Sequence, residues 1–146
     1  EDQRGTIDIK KIPHNFSLKQ INITSNKKYV IRGMHYQTNK QNKILVLLSG
    51  EILDVLVDIH NYKIYYFNLT ESNSTLFIPH NYAHGFQVLS SKAKLLYLFD
   101  DTFKIKRQLG FDALDKKIGI KWNKQKKILS VKDSKLQSFD QFQKKI

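Results

Sequence analysis

Strand signals dominate from Lys43 to Asp100, and they leave few ways to fold the chain. "KILVLL" is a buried run closed by Ser49-Gly50, a turn signal, and "EILDVLVDI" follows directly, so the two read as a hairpin. "YKIYYFNLT", "STLFIP", "HGFQVLS" and "AKLLYLF" continue the pattern at close spacing. Short strands with turn residues between them predict an all-β sandwich or barrel. The stretch after about Asp112 is more polar, with a short apolar "IGIKW" and a predicted short helix from Ser134. A length of 146 residues fits one domain.

One strand departs from a plain core pattern. In "EILDVLVDI", Glu51, Leu53, Val55, Val57 and Ile59 share one face, while Ile52, Asp54, Leu56 and Asp58 share the other. Carboxylates among aliphatics suit the lining of a wet cavity better than a dry core.

Composition narrows the chemistry. Cysteine is absent, which excludes disulfides, thiolate nucleophiles and sulfur-bound zinc. A Gly-rich phosphate loop is missing as well. No apolar run approaches the ~20 residues that span a bilayer, so a cytoplasmic protein away from the membrane is expected. The net charge is +12, but the lysines are spread along the chain rather than gathered into an arm. That favours a small anion, such as a nucleotide diphosphate, over nucleic acid.

Among the histidines, His14, His60 and His80 read as structural or exposed. His35 and His84 suit a pocket rim. His35 opens the strand region after an Arg-Gly pair, and His84 lies between a turn and the apolar "GF". A jelly-roll metal site places two histidines at alternate positions of one strand. Here the alternate position carries Gln37, a poor ligand for a transition metal, so no metal is expected and His35 is free to act as a base. Arg32 and Lys43 are the nearby cations. Simple alternation puts Arg32 and His35 on opposite faces; a bulge at Gly33 would bring both inward. Tyr97 shares a face with Leu95 and Phe99, as a core aromatic or a proton donor. Asp133 alone reads as a helix cap or a surface charge.

Taken in order, "RGMHYQ", "QNKILVLLSGEILDVLVDI", "IPHNYAHGFQVLS", "LLYLF", "IGIKW" and "LSVKD" resemble the dTDP-4-dehydrorhamnose 3,5-epimerase family of the cupin superfamily. The likeness runs from about Phe16 to Asp133. It implies a cupin jelly-roll barrel, a homodimer, no cofactor, and epimerisation of a 4-keto nucleotide-diphosphate sugar through an enolate. By motif, His35 would be the base, Asp133 its orienting carboxylate, Lys43 the enolate stabiliser and Tyr97 the returning acid. Arg32, His84, Gln20, Asn22, Arg4 and Asp54 would contact substrate.

The departures lie around this centre. "RGTIDIKKIP" stands where the family has two aromatics and a glutamate. Thr102 and Phe103 stand in place of tyrosines, Gln108 in place of a glutamate, and Ala113 in place of a tryptophan. Two other readings fit parts of the pattern: a keto-isomerase on a related barrel, which Gln37 argues against, and a non-catalytic sugar-binding cupin.

Overall fold

The computed structural model describes Gln3, Thr6, Asp8 and residues 10–146. Nine strands follow in chain order: β1 (Gln20–Lys27), β2 (Ile31–Gln37), β3 (Lys43–Ser49), β4 (Ile52–Asp58), β5 (Ile64–Leu69), β6 (Thr75–Ile78), β7 (Tyr82–Val88), β8 (Lys92–Phe99) and β9 (Gln108–Gly110). Two short helices, α1 (Val131–Ser134) and α2 (Phe139–Gln143), come last. The strands form a four-stranded sheet in the order β1-β8-β3-β6 and a five-stranded sheet in the order β5-β4-β7-β2-β9. Every pairing between these strands is antiparallel. This is the jelly-roll sandwich expected from the sequence.

The expected hairpin is not there. β3 pairs with β6 and β8, and β4 pairs with β5 and β7, so the two strands belong to different sheets. Gly50 (φ +91°) makes the crossing, and a Cβ there would lie 2.2 Å from the Lys92 carbonyl oxygen. Burial explains the separation. Leu45 and Leu47 face Ile52 and Leu56 across the inter-sheet core rather than along a shared ladder. A turn dipeptide between two apolar runs marks a reversal but does not say whether the second run pairs with the first or crosses to the opposite sheet.

Two cores flank the five-stranded sheet. Leu45, Leu47, Ile52, Leu56, Phe86, Val88 and Leu95 fill the space between the sheets. On the outer side, Ile31, Met34, Val55 and Val57 are covered by Phe111, Trp122, Phe139 and Phe142 from the C-terminal segment. Because both faces of β4 are buried, the strand reads as a nearly continuous apolar run. The predicted final helix forms as two short turns, with Ser130 and Ser138 as N-caps whose hydroxyls accept from Asp133 and Gln141 backbone N–H groups.

Candidate active site

One end of the sandwich opens into a cavity walled by both sheets. The four-stranded sheet contributes Asn22, Thr24, Lys43, Tyr97 and Phe99, and the five-stranded sheet contributes Arg32, His35, Gln37, His84, Phe86 and Gln108. Register accounts for the grouping. Asn22 lies opposite Tyr97 and Lys43 opposite Phe99, so these side chains share the inner face. His35 lies directly opposite His84. The enclosed volume is about 210 Å³. That is smaller than the ~300–1,000 Å³ of pockets that bury a drug-sized ligand, so a large ligand leaves part of itself at the mouth.

The bulge that brings Arg32 and His35 to one cavity is present. The β2–β7 register shifts between Arg32 and His35, and Gly33 sits at φ +131°. A Cβ at Gly33 would lie 2.7 Å from Gly85 Cα and 2.9 Å from the His84 carbonyl oxygen. Glycine is therefore required both by the backbone conformation and by the close approach of β7. Arg32 donates from Nε to Asn26 Oδ1 at 2.6 Å, which fixes the guanidinium at the wall.

Asp133 joins the bulge to the histidine. Its Oδ1 lies 2.7 Å from His35 Nε2, and its Oδ2 accepts from the Gly33 N–H at 3.3 Å. Burial pulls the Asp133 carboxyl up. The His35 hydrogen bond and charge, the Gly33 N–H and Lys132 outweigh that and hold it below the usual carboxylate range. An ionised carboxylate only accepts, so His35 Nε2 is the donor in this contact and Nδ1 is the ring nitrogen left without that partner.

A second pair, His84 Nε2 and Asp54 Oδ2, is also 2.7 Å apart, with Asp54 completely buried. Burial pulls the His84 ring down; Asp54 opposes this, while Lys43 and His35 reinforce it. Burial also brings Lys43 down to about 8, against the pull of Asp54. Tyr97 goes the other way, its hydroxyl pushed well up by burial and by Asp54, so it stays protonated. His84 packs edge-on to Tyr97 with ring centroids 6.3 Å apart.

Six of the ten residues singled out in the sequence, His35, Lys43, Tyr97, Arg32, His84 and Asn22, line this one cavity. Asp133 stands directly behind His35. Asp54 is placed differently from expectation. It lies one layer deeper, behind His84, and has no accessible surface with which to touch a ligand. Nor does it line a wet cavity, since its neighbours on that face, Ile52 and Leu56, are in the dry core. Gln20 stays at the rim, where it donates to Asn22 Oδ1 and accepts from the Phe103 N–H. Arg4 lies outside the described residues. His14, His60 and His80 are exposed and away from the cavity.

Sequence reasoning missed Thr24, Gln41, Phe86 and Phe99 as lining residues. Each stands two positions from one that it found: Asn22, Lys43, His84 and Tyr97. Strand periodicity carried that signal for Thr24, Phe86 and Phe99, while Gln41 stands in the loop before β3. Ala113 lies in the outer core, where its carbonyl accepts from Trp122 Nε1 at 2.7 Å, and takes no part in the cavity. Among the described residues, no three His, Asp or Glu side chains gather as a metal site would require. No helix among them is long and apolar enough to cross a membrane.

Comparison with known proteins agrees with this architecture. The sequence profile of the family described as dTDP-4-dehydrorhamnose 3,5-epimerase matches residues 4–141. The dTDP-4-dehydrorhamnose 3,5-epimerase of Shigella flexneri is 36% identical over 82% of this chain and 71% of its own length. That of Salmonella typhimurium is 35% identical over 84% of this chain and 72% of its own. A crystal structure of dTDP-6-deoxy-D-glucose-3,5-epimerase from Legionella pneumophila, in complex with dTDP-4-keto-L-rhamnose, superposes with a TM-score of 0.78 at 31% identity, covering 86% of this chain and 71% of that one. With its jelly-roll sandwich, its two-walled cavity and a profile match over nearly its whole length, the chain belongs to the dTDP-4-dehydrorhamnose 3,5-epimerase family.

Proposed function

We propose that the chain epimerises a 4-keto-6-deoxy sugar carried on a nucleoside diphosphate, dTDP in the first instance, at one or both carbons flanking the ketone. The observation that carries this reading is the placement of His35 and Tyr97 on opposite sheets of one cavity. Inversion needs a proton removed from one face of a carbon and returned to the other.

His35 Nδ1 takes the proton α to the ketone, and the electron pair moves onto the ketone oxygen as an enolate. Lys43 sets its ammonium against the developing charge; one such preorganised donor supplies about 3–4 kcal/mol. Tyr97 then gives its hydroxyl proton to the same carbon from the opposite wall. Solvent returns a proton to Tyr97 and removes one from His35. Asp133 holds the imidazole in the right tautomer and offsets its charge once protonated. Arg32, His84, Asn22 and Gln20 hold the sugar and diphosphate, and Asp54 positions His84. The sugar keeps its oxidation state, so no redox cofactor enters the balance.

The substrate is a charged nucleotide that does not cross bilayers unaided, which supports a cytoplasmic location. The working form is a homodimer. Two rows of side chains cross the outer face of the four-stranded sheet, Ile21–Leu98–Ile44–Phe77 and Ile23–Leu96–Val46, by direct cross-strand register. Ile21, Ile23 and Phe77 are 53%, 61% and 42% exposed. An uncharged apolar stripe on a chain of net charge +12 suits a second copy, which can approach there without bringing cations together. Ile23→Lys is expected to shift the species seen by light scattering from dimer to monomer; a monomeric parent chain would overturn this assignment.

Solvent deuterium tests the reaction. In heavy water with dTDP-4-keto-6-deoxyglucose, deuterium is expected at the carbons flanking the ketone, with inverted products seen by NMR. Label at both carbons marks a double epimerase and label at one marks a single-centre enzyme. No exchange with dTDP, UDP, GDP or CDP keto sugars would refute the reading.

A further inference from the structure

We propose that Asn26 is the positioning residue of an oxyanion cradle, turning the Arg32 guanidinium and the Thr24 hydroxyl together toward the diphosphate of the substrate. That the anion is a diphosphate rests on the epimerase reading above; the cradle itself rests on three hydrogen bonds. Asn26 Nδ2 donates to the Ala93 carbonyl at 3.3 Å and to Thr24 Oγ1 at 3.0 Å, and Oδ1 accepts from Arg32 Nε at 2.6 Å. A carbonyl only accepts and a guanidinium only donates, so one orientation of the amide suits both. Asn26 is 5% exposed, whereas Arg32 is exposed, Thr24 is half-buried, and both line the cavity. The amide stays inside the fold while its two partners reach a ligand.

Each bond leaves its partner with something to give. With Nε engaged, the two Nη groups remain, and they form the end of the fork that takes two oxygens of one oxyanion side by side. Thr24 Oγ1 accepts from Asn26 and keeps its own proton to donate. Among the described residues, neither side chain makes another hydrogen bond.

Charge points the same way. The residues that line the cavity include no Asp or Glu. Lys43, the other lining cation, has the buried Asp54 near it. Arg32 is held by a neutral amide, so its charge is left uncompensated for a ligand. Asn26→Asp would orient the guanidinium as well, but would neutralise it in advance and draw the Thr24 proton away from the cavity.

Affinity for dTDP and for inorganic pyrophosphate, measured by calorimetry, tests this in a double-mutant cycle. Asn26→Ala is expected to weaken both ligands about tenfold, the loss of one hydrogen bond to a charged group. In an Arg32→Lys background, with no Nε to hold and no fork to aim, the same change is expected to cost about twofold, the share left to Thr24. Asn26→Asp is expected to be worse, on the order of 100-fold at low salt, with the gap to Asn26→Ala narrowing as salt rises. Should Asn26→Ala not fold, Asn26→Ser takes its place in the cycle. Equal losses in both Arg32 backgrounds would overturn the proposal, because a residue serving only the fold weakens either protein alike. So would a wild type that binds neither dTDP nor pyrophosphate. Absence of deuterium exchange beside an intact calorimetric coupling would refute the epimerase reading alone and leave the cradle standing.

Discussion

Two histidines in this molecule make the same contact and sit in opposite circumstances. His35 meets Asp133 and His84 meets Asp54, each through Nε2 at 2.7 Å. The His35 side chain is 31% exposed, and its carboxylate partner also holds a backbone N–H of the bulge. The His84 side chain is 5% exposed over a fully buried Asp54, with Lys43 close enough to push its proton affinity down further. The contact alone therefore does not make a base. A base must gain a proton and keep it briefly. An open ring backed by an ionised carboxylate can do so, and a buried ring beside an ammonium cannot. On the proposed reaction the first pair is the one that cycles protons, while burial and Lys43 favour a neutral ring in the second.

The sharpest way to break that contrast is to remove each ring in turn. His35→Asn is expected to lower kcat on the order of 10³-fold, within the usual range for a general base, and to leave dTDP affinity within about twofold. His84→Asn is expected to cost about tenfold, chiefly in KM, since it loses a ligand contact rather than the proton carrier. Equal losses in kcat for the two variants would end the distinction. The carboxylates sharpen it further. Asp133→Asn is expected to lower kcat by about 10²-fold, because an amide no longer stabilises the protonated ring. Asp54→Asn is expected to act mainly on stability. It weakens a buried hydrogen bond worth about 1–3 kcal/mol, which for a chain of this size lowers Tm by about 3–10 °C. Calorimetric melting beside steady-state kinetics separates the two.

How much of this was legible in the sequence follows from what each residue type can reveal alone. The sandwich was legible, because period-two runs at close spacing need no partner to be recognised. The inward bulge was legible as a possibility from Gly33 alone. Its realisation depends on Gly85 on the facing strand, which sits close enough to exclude a side chain from either position. The hairpin was misread because a turn dipeptide is local and sheet membership is not. Asp54 was recognised as unusual but placed at the wrong depth: alternation gives the face of a strand and says nothing about what lies in front of it. The outer core escaped notice because Phe111, Trp122, Phe139 and Phe142 are scattered through a polar stretch with no period to betray them. Pairs such as His35–Asp133, 98 residues apart, carry no local signal; only a family resemblance joined them in advance.

The smallest expected effect is on the alkaline side of the pH profile, and it tests whether the buried wall of the cavity governs charge as described. Burial brings the Lys43 ammonium from its ordinary 10.5 to about 8. If Lys43 stabilises the enolate, kcat should fall as pH rises through about 8, a few-fold between pH 7.5 and 8.5. Its neighbours do not titrate in that window: Tyr97 is pushed up and His84 pulled down. Lys43→Arg keeps its charge throughout and is expected to flatten this limb at a lower absolute rate. Stability must move the opposite way. Between about 8 and 10.5 the unfolded chain holds the Lys43 proton more tightly than the folded one, so this group's contribution to stability rises with pH as activity falls. A profile in which activity and Tm fall together above pH 8 would assign the limb to unfolding, and would remove Lys43 as the group that loses its charge.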